Sequence, residues 1–311
     1  MNPQEVRLRP LAKSIAGYVV PSLRTVHHAN SQSVRAEYAY SVALRHLSRL
    51  APWSDFQVPQ RIAEFGPGDA LGVGIACLLA GATHYTALDV ENHTDAGANL
   101  RMFDALVALF RARTPIPDQG LCIATAPEDW AFPAFIEKNL GWTLGAGRLR
   151  RIRADIVDQS GRLIAFEAPW QGRVDIRPGS LDWIFSHSVL EHVDDIITLH
   201  RLSREWLAHG GLVSHEIDYG SHDLTRTWNG HWTVPAPLWR VLRGKRPFLI
   251  NRNSHQDHLD AMASFGFHLL EEERTERPGG LSRTRFAHEF ATMPEIDART
   301  AVAFVIARAE T

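Results

Sequence analysis

The sequence predicts an α/β fold, a doubly wound and mostly parallel sheet of seven strands, and three observations predict it. From Arg61 onward, short apolar runs alternate with segments of helical period, which is the pattern of a parallel sheet wound with helices. The first run ends in a glycine-rich turn, "EFGPGD", and the second ends in an acidic residue, Asp89. The chain has 311 residues, 45% of them hydrophobic and 22% charged, enough for one large α/β domain with insertions in an ordinary globular composition.

Residues 1–59 read as a helical N-terminal cap. In "RAEYAYSVALRHLSRL", Ala36, Tyr40, Ala43, Leu44 and Leu47 fall on one helical stripe that Pro52 ends. The main domain then spans 60–311. "RIAEF" and "HYTALDV" read as strands, with "LGVGIACLLAGA" as the helix between them and "AGANLRMFDALVALFRAR" as the next helix. Residues 114–161 carry prolines, aromatics and the basic "GRLRRIR", a stretch too long for a simple connection, and read as an insertion or lid. "RLIAFEAPW" and "SLDWIFSHSV" are the third and fourth strands. "DDIITLHRLSREWLAHG" is a helix that Gly210 and Gly211 stop, and "GLVSHEI" is the fifth strand. Residues 218–253 form a polar, aromatic substrate-side segment. A helix from about His255 and the strands "FGFHLLEEE" and "TAVAFVIARA" close the chain.

The formal charge of -2 and pI near 6.8 give no global positive field for a nucleic-acid backbone, although Arg148, Arg150, Arg151 and Arg153 form a local basic run. The two cysteines, Cys77 and Cys122, provide neither a disulfide framework nor a zinc spacing, and suit a reducing cytoplasm. Arg7, Arg9 and Lys13 precede "SIAGYVV", a run too short for a signal segment and followed by Pro21, so a cytoplasmic chain is expected. No window reaches the roughly 18 apolar residues of a membrane span.

In an open parallel sheet the ligand sits outside the carboxyl ends of the strands, where the strand order reverses. Gly66 and Gly68 let the main chain approach a ligand, and the helix behind them offers N–H groups. Asp89, 23 residues beyond Gly66, stands about where an acidic residue grips a ribose diol. Leu71 occupies the last glycine place of a G-x-G-x-x-G fingerprint, and Asp69 would repel a pyrophosphate. A cationic sulfonium with an amino-acid tail suits the turn better.

These residues resemble the class I S-adenosylmethionine-dependent methyltransferases, whose fold is Rossmann-like. "EFGPGD" is similar to that family's E/D-x-G-x-G motif, "ALDV" to its acidic second-strand end, "SLDWIFSHSVLEHVDD" to its fourth-strand motif, and "WLAHGGLVSHEID" to its turn into strand five. The resemblance covers residues 60 to about 220 and implies S-adenosyl-L-methionine as cofactor. It implies Glu64, Gly66 and Gly68 around the methionine part, Asp89 at the ribose and Trp170 or its neighbours at the adenine, with His187 beside them at the fourth strand end. Two departures stand out. Ala70 replaces the common third glycine, and "EAPW" stands where an acidic residue and a small one are usual.

Methyl transfer from a sulfonium is an in-line displacement, and an alcohol acceptor must also lose its proton. The sequence expectation for the base is His215, favoured over His222 and His192, because the sheet would hold it rigidly. Strand alternation leaves Asp218 as the candidate if the crevice lies on the other face. In "HEIDYGSHDLTRTWNGHW", polar side chains are interleaved with tryptophans, as a sugar ring requires, so Asn229, His231, Trp232 and Arg252 are expected to contact the acceptor. Arg243, Lys245, Arg246 and Arg252 could hold a carboxylate or phosphate. "SHEIDYGSHD", "WNGHWT" and "RGKRPFLINRNSH" are similar to a bacterial subgroup associated with polysaccharide and other carbohydrate gene clusters. The expected reaction is thus O-methylation of a sugar or glycoconjugate hydroxyl, with no nucleic-acid substrate. A natural-product or lipid-intermediate acceptor, or a non-catalytic cofactor- or partner-binding module, are the alternatives. "SHSV" lacks the Asn/Asp-Pro-Pro-aromatic signature of exocyclic-amine methylation. No metal is assigned, since Ser188 stands where metal-using relatives with an E-x-x-E-H pattern carry a glutamate, leaving Glu191 and His192.

Overall fold

A computed structural model describes residues 5–19, 35–92, 94–118, 124–172, 174–246 and 248–310. The chain runs α1 (Leu8–Val19), α2 (Ala36–Leu50), β1 (Arg61–Phe65), α3 (Gly72–Ala80), β2 (His84–Leu88), α4 (Ala96–Ala112), the short α5 (Ala134–Glu137) and α6 (Leu140–Thr143), and α7 (Ala146–Asp158). It continues with β3 (Ile164–Glu167), β4 (Leu181–His187), α8 (Ile196–Trp206), β5 (Leu207–Asp218), α9 (Ala236–Arg243), α10 (His255–Ser264), β6 (Phe267–Glu276), α11 (Glu295–Arg299) and β7 (Thr300–Ala309). The seven strands form one sheet in the order β3-β2-β1-β4-β5-β7-β6, with β7 antiparallel to both neighbours. The chain winds one way from β1 through β2 to β3 and then returns to place β4 on the other side of β1. The crevice between β1 and β4 is therefore the switch point.

Alternation along the strands divides the interior into two apolar clusters. Ile62, Tyr85, Ala87, Trp183, Phe185 and Phe304 face α2, α3, α4 and α7, whereas Ala63, Phe65, Leu88, Ile184, Val213 and Ile217 face α8 and α10. Helix α2, expected within a cap, is buried on most of its surface and packs on α3 and α4 in the first cluster. In the 114–161 stretch, α6 and α7 join that same layer, and Thr125 reaches the strand ends. Of the basic run, Arg148 is buried and donates to the Leu78 and Ala82 carbonyls, and Arg153 pairs with Asp104. Cys77 is buried, while Cys122 lies outside the described residues.

One expected boundary moves. Helix α8 stops at Trp206, not at the glycines, because Leu207 already pairs with Leu181. The register then jumps to Trp183 opposite Leu212, so Gly210 (φ +76°) and Gly211 lie in a bulged excursion of β5. Beyond the carboxyl end of β5, Val6, Leu224, Val234, Trp239, Leu242 and Ile250 form a third, smaller cluster. Val6 bridges Thr225, and α1 packs on α9, so residues 5–19 and the 218–253 segment fold together. Among the described residues no helix is long and apolar enough to cross a membrane.

Candidate functional site

The glycine turn adopts the backbone that its composition requires. Gly66 and Gly68 have φ of +66° and +72°, a region that side chains strain to enter. A Cβ on Gly66 would stand 2.6 Å from both methyls of Val189, so the turn after β1 lies directly against the turn after β4.

Glu64 projects from β1 beneath this turn on the α3 face and is only 4% exposed. Its carboxylate accepts the Tyr85 hydroxyl at 2.6 Å and the Gly74 N–H in the first turn of α3. Asn99 Oδ1 accepts the Leu71 N–H at 2.9 Å. Helix α3 has no capping side chain of its own, so Glu64 and Asn99 take over N–H groups that the sequence reading had left for a ligand. Burial drives the Glu64 acid up to about 8, against the opposing pull of its Tyr85 and Gly74 bonds.

Asp89 ends β2 beside this turn. Its N–H donates to Glu167, its carbonyl accepts from Trp170, and Oδ1 accepts the Val90 N–H at 2.7 Å. The Trp170 ring is buried edge-on to Phe65 at 5.2 Å, in the α8/α10 cluster. His187 lies under the crevice with both ring nitrogens engaged, Nε2 3.1 Å from Glu216 and Nδ1 3.3 Å from His46. Arg45 and Thr125 complete that buried network around Glu216. A groove of about 630 Å³ runs beside β2 and β3, and Leu71 and Asn99 line it while Glu64, Gly66, Gly68 and Asp89 do not.

The side chain of His215, the expected base, is directed into the interior. It points to the α8/α10 face, fully buried, bonded to Ser186 Oγ at 2.8 Å, with the His200 ring 5.9 Å away. Burial depresses it to about 3. Asp218, on the opposite face at the strand end, meets His222 Nε2 at 3.2 Å and accepts the Gly220 N–H at 2.7 Å. Burial works to raise this carboxyl, but the bond and charge of His222 and the Gly220 N–H outweigh it and hold it below the usual range. The His192 and His222 rings stand edge-on 5.1 Å apart. Glu191, 3% exposed, joins them, and ligand atoms of Glu191, His192 and His222 all lie within 4.8 Å of one another. Burial, then the neighbouring Asp218 charge, pushes Glu191 well above the usual carboxylate range. Burial likewise lowers His192 to about 4. Four residues around this crevice hold positive φ without being glycine: Ser188 (+53°), His222 (+44°), Asp223 (+62°) and Phe248 (+57°).

The residues expected to contact the acceptor bond to the chain itself. Asn229 is buried and clasps the chain by donating to the Leu281 and Ala298 carbonyls and accepting from the Leu281 N–H. His231 and Trp232 are buried, and Trp232 Nε1 donates to the Arg252 carbonyl. Arg252 donates to the Val234 carbonyl and lies over the Trp239 and Phe290 rings. Arg243 forms a two-point pair with Asp194. These side chains fasten the 218–253 segment to the body. A residue the sequence reading passed over does the same for the crevice: Asn251 Nδ2 donates to the Leu190 and Val193 carbonyls at 2.7 Å each, and its N–H donates to the Glu191 carbonyl. It lies some 60 residues from the turn it clamps, and no local pattern announces that contact.

No family model matches the chain, and no curated protein matches it. Among solved structures it is similar to an S-adenosylmethionine-dependent methyltransferase from Mesorhizobium loti, at 15% identity and TM-score 0.37, over 84% of this chain and 97% of that one. It is also similar to a methyltransferase of the same dependence from Methanosarcina mazei (11%, TM-score 0.43, 82% and 94%) and to the [4+2]-cyclase SpnF (14%, TM-score 0.40, 86% and 82%). Likenesses of this degree decide neither a family nor a reaction.

Proposed function

We propose that the protein is an S-adenosyl-L-methionine-dependent methyltransferase that methylates a hydroxyl, on a sugar or glycoconjugate. The observation that carries this reading is the juxtaposition at the switch point. The Gly66–Gly68 turn and Asp89 stand on one side, and Val189 links that turn to the Glu191, His192, Asp218 and His222 group on the other. A nucleoside laid over Asp89 with its amino-acid end at the glycine turn presents its sulfonium toward the second group. Glu64, buried under the turn, supplies negative charge on the side of a cationic ligand once it ionises. Asp218 is the base in this reading. It is fixed by β5, oriented by His222, and on the crevice face that His215 does not share.

Calorimetry with S-adenosylhomocysteine and NADH tests the cofactor; binding of NADH alone refutes it. Labelled cofactor incubated with a metabolite and glycan extract identifies the acceptor by mass spectrometry of the labelled product, and label on an amine or carbon refutes hydroxyl transfer. Asp218→Asn is expected to slow single-turnover transfer by about 10²- to 10⁴-fold with cofactor affinity retained. His215→Asn should leave the pH profile of transfer unchanged. The reverse outcome returns the base to His215.

A further inference from the structure

We propose that Glu191, His192 and His222 bind one divalent metal ion of the zinc, manganese or iron(II) class at the carboxyl ends of β4 and β5. The three donors come from two separate segments, and one ligand atom of each lies within 4.8 Å of the others. Glu191 points into this group from the interior, 3% exposed, with no side chain among the described residues donating to its carboxylate and only the backbone N–H groups of Glu191 and Asp218 supporting it. A buried carboxylate with backbone N–H support but no countercharge is costly to ionise, and a cation answers that charge directly. The Nδ1 of His192 is buried and without a partner among the described residues, while the ring has a hydrogen bond to the backbone of Phe248. Asp218 accepts from His222 Nε2, leaving Nδ1 of that ring for a ligand. A carboxylate or carbonyl behind each imidazole is the usual support of a metal-bound histidine. Asn251 holds the Leu190–Val193 turn in place, so Glu191 and His192 are presented on a clamped backbone.

Two imidazoles and one carboxylate favour a borderline ion over magnesium or calcium, which prefer all-oxygen shells. His222 is about one-third exposed, so the crevice side stays open for a further oxygen ligand. That ligand would be the acceptor hydroxyl, whose acidity the ion would raise for delivery of its proton to Asp218. This role rests on the methyl-transfer reading; ion binding does not.

The test uses the full chain after chelator treatment and dialysis, titrated by calorimetry with Zn²⁺ and separately with Mn²⁺, with Mn²⁺ also followed by electron paramagnetic resonance. The expected result is one ion per chain. Glu191→Gln, His192→Ala and His222→Asn should each weaken it by about 100-fold or more. His268→Gln, at an exposed histidine away from the crevice, should bind as the unmodified chain does. His222 is partly exposed on a loop, so His222→Asn reports even if a variant at buried Glu191 unfolds. Absence of a stoichiometric ion, or equal affinity in folded His222→Asn and the unmodified chain, overturns the proposal. S-adenosylhomocysteine binding is measured on the same samples. If it fails while the ion binds, the cofactor reading falls and the metal site stands.

Discussion

Glu64 gives the sharpest test, because its environment ties stability and ligand binding to one proton. Its acid is raised from an ordinary value near 4.5 to about 8 by burial. Between those values the folded chain keeps a proton that the unfolded chain has released. Stability therefore falls as pH rises through this window, and the contribution present at acid pH is lost by about pH 8. Each unit is about 1.4 kcal/mol, so ionisation costs the fold roughly 3 kcal/mol at pH 7 and roughly 5 kcal/mol once pH passes the folded value. Glu64→Gln removes the ionisation while its amide oxygen still accepts from Tyr85 or Gly74. Allowing about 1 kcal/mol for a poorer hydrogen bond, the variant should be about 2 kcal/mol more stable at pH 7 than the unmodified chain, and its stability should lose this component of pH dependence. Urea denaturation from pH 5 to 9 measures both. A bound sulfonium and ammonium favour the ionised acid. Cofactor binding near pH 7 should then release up to about one proton, seen as a calorimetric heat that differs between phosphate and Tris buffers, and none in Glu64→Gln. Parallel pH curves for the two proteins, or buffer-independent heats for the unmodified chain, refute the reasoning.

Other outcomes follow from neighbouring residues. Asp89→Ala should weaken S-adenosylhomocysteine binding by about 1.5–3 kcal/mol in calorimetry, the loss of charge-assisted bonds to a ribose diol. Gly66→Ala should cost about 1–3 kcal/mol for its φ of +66° alone, with the clash against Val189 added, and should reduce cofactor binding along with the urea midpoint. His46, His187, His200, His215, His231 and His258 are buried and held neutral by desolvation. The unfolded chain takes up their protons first, so their contribution to stability is present above about pH 6.5 and is lost as pH falls below it, opposite in sign to Glu64. His200→Gln should reduce the slope of stability against pH near pH 5 by about one proton, measured by urea midpoints.

What the sequence by itself determined is local. The alternation of strand and helix was legible because a strand repeats every two residues and a helix every 3.6, and each period is written within a dozen positions. The turn at Gly66 and Gly68 was legible because positive φ selects glycine whatever surrounds it, and the structure gives both residues that backbone. Strand register and facing belong to the tertiary structure. His215 and Asp218 are equally polar and three residues apart, and only the pairing of β5 with β4 and β7 turns the first into the α8/α10 interior and the second to the crevice. Tryptophans and histidines carry no mark of how deeply they will be buried, and only the tertiary structure puts Trp170, His231 and Trp232 in the interior. The same holds for the Glu191, His192 and His222 group. His222 lies about 30 residues beyond Glu191 and His192 along the chain, and they converge because two strand ends lie side by side and Asn251 reaches back across some 60 residues to hold one of the turns. Short-range periodicity is a property of the chain, whereas convergence of distant side chains is a property of packing, which no local window contains.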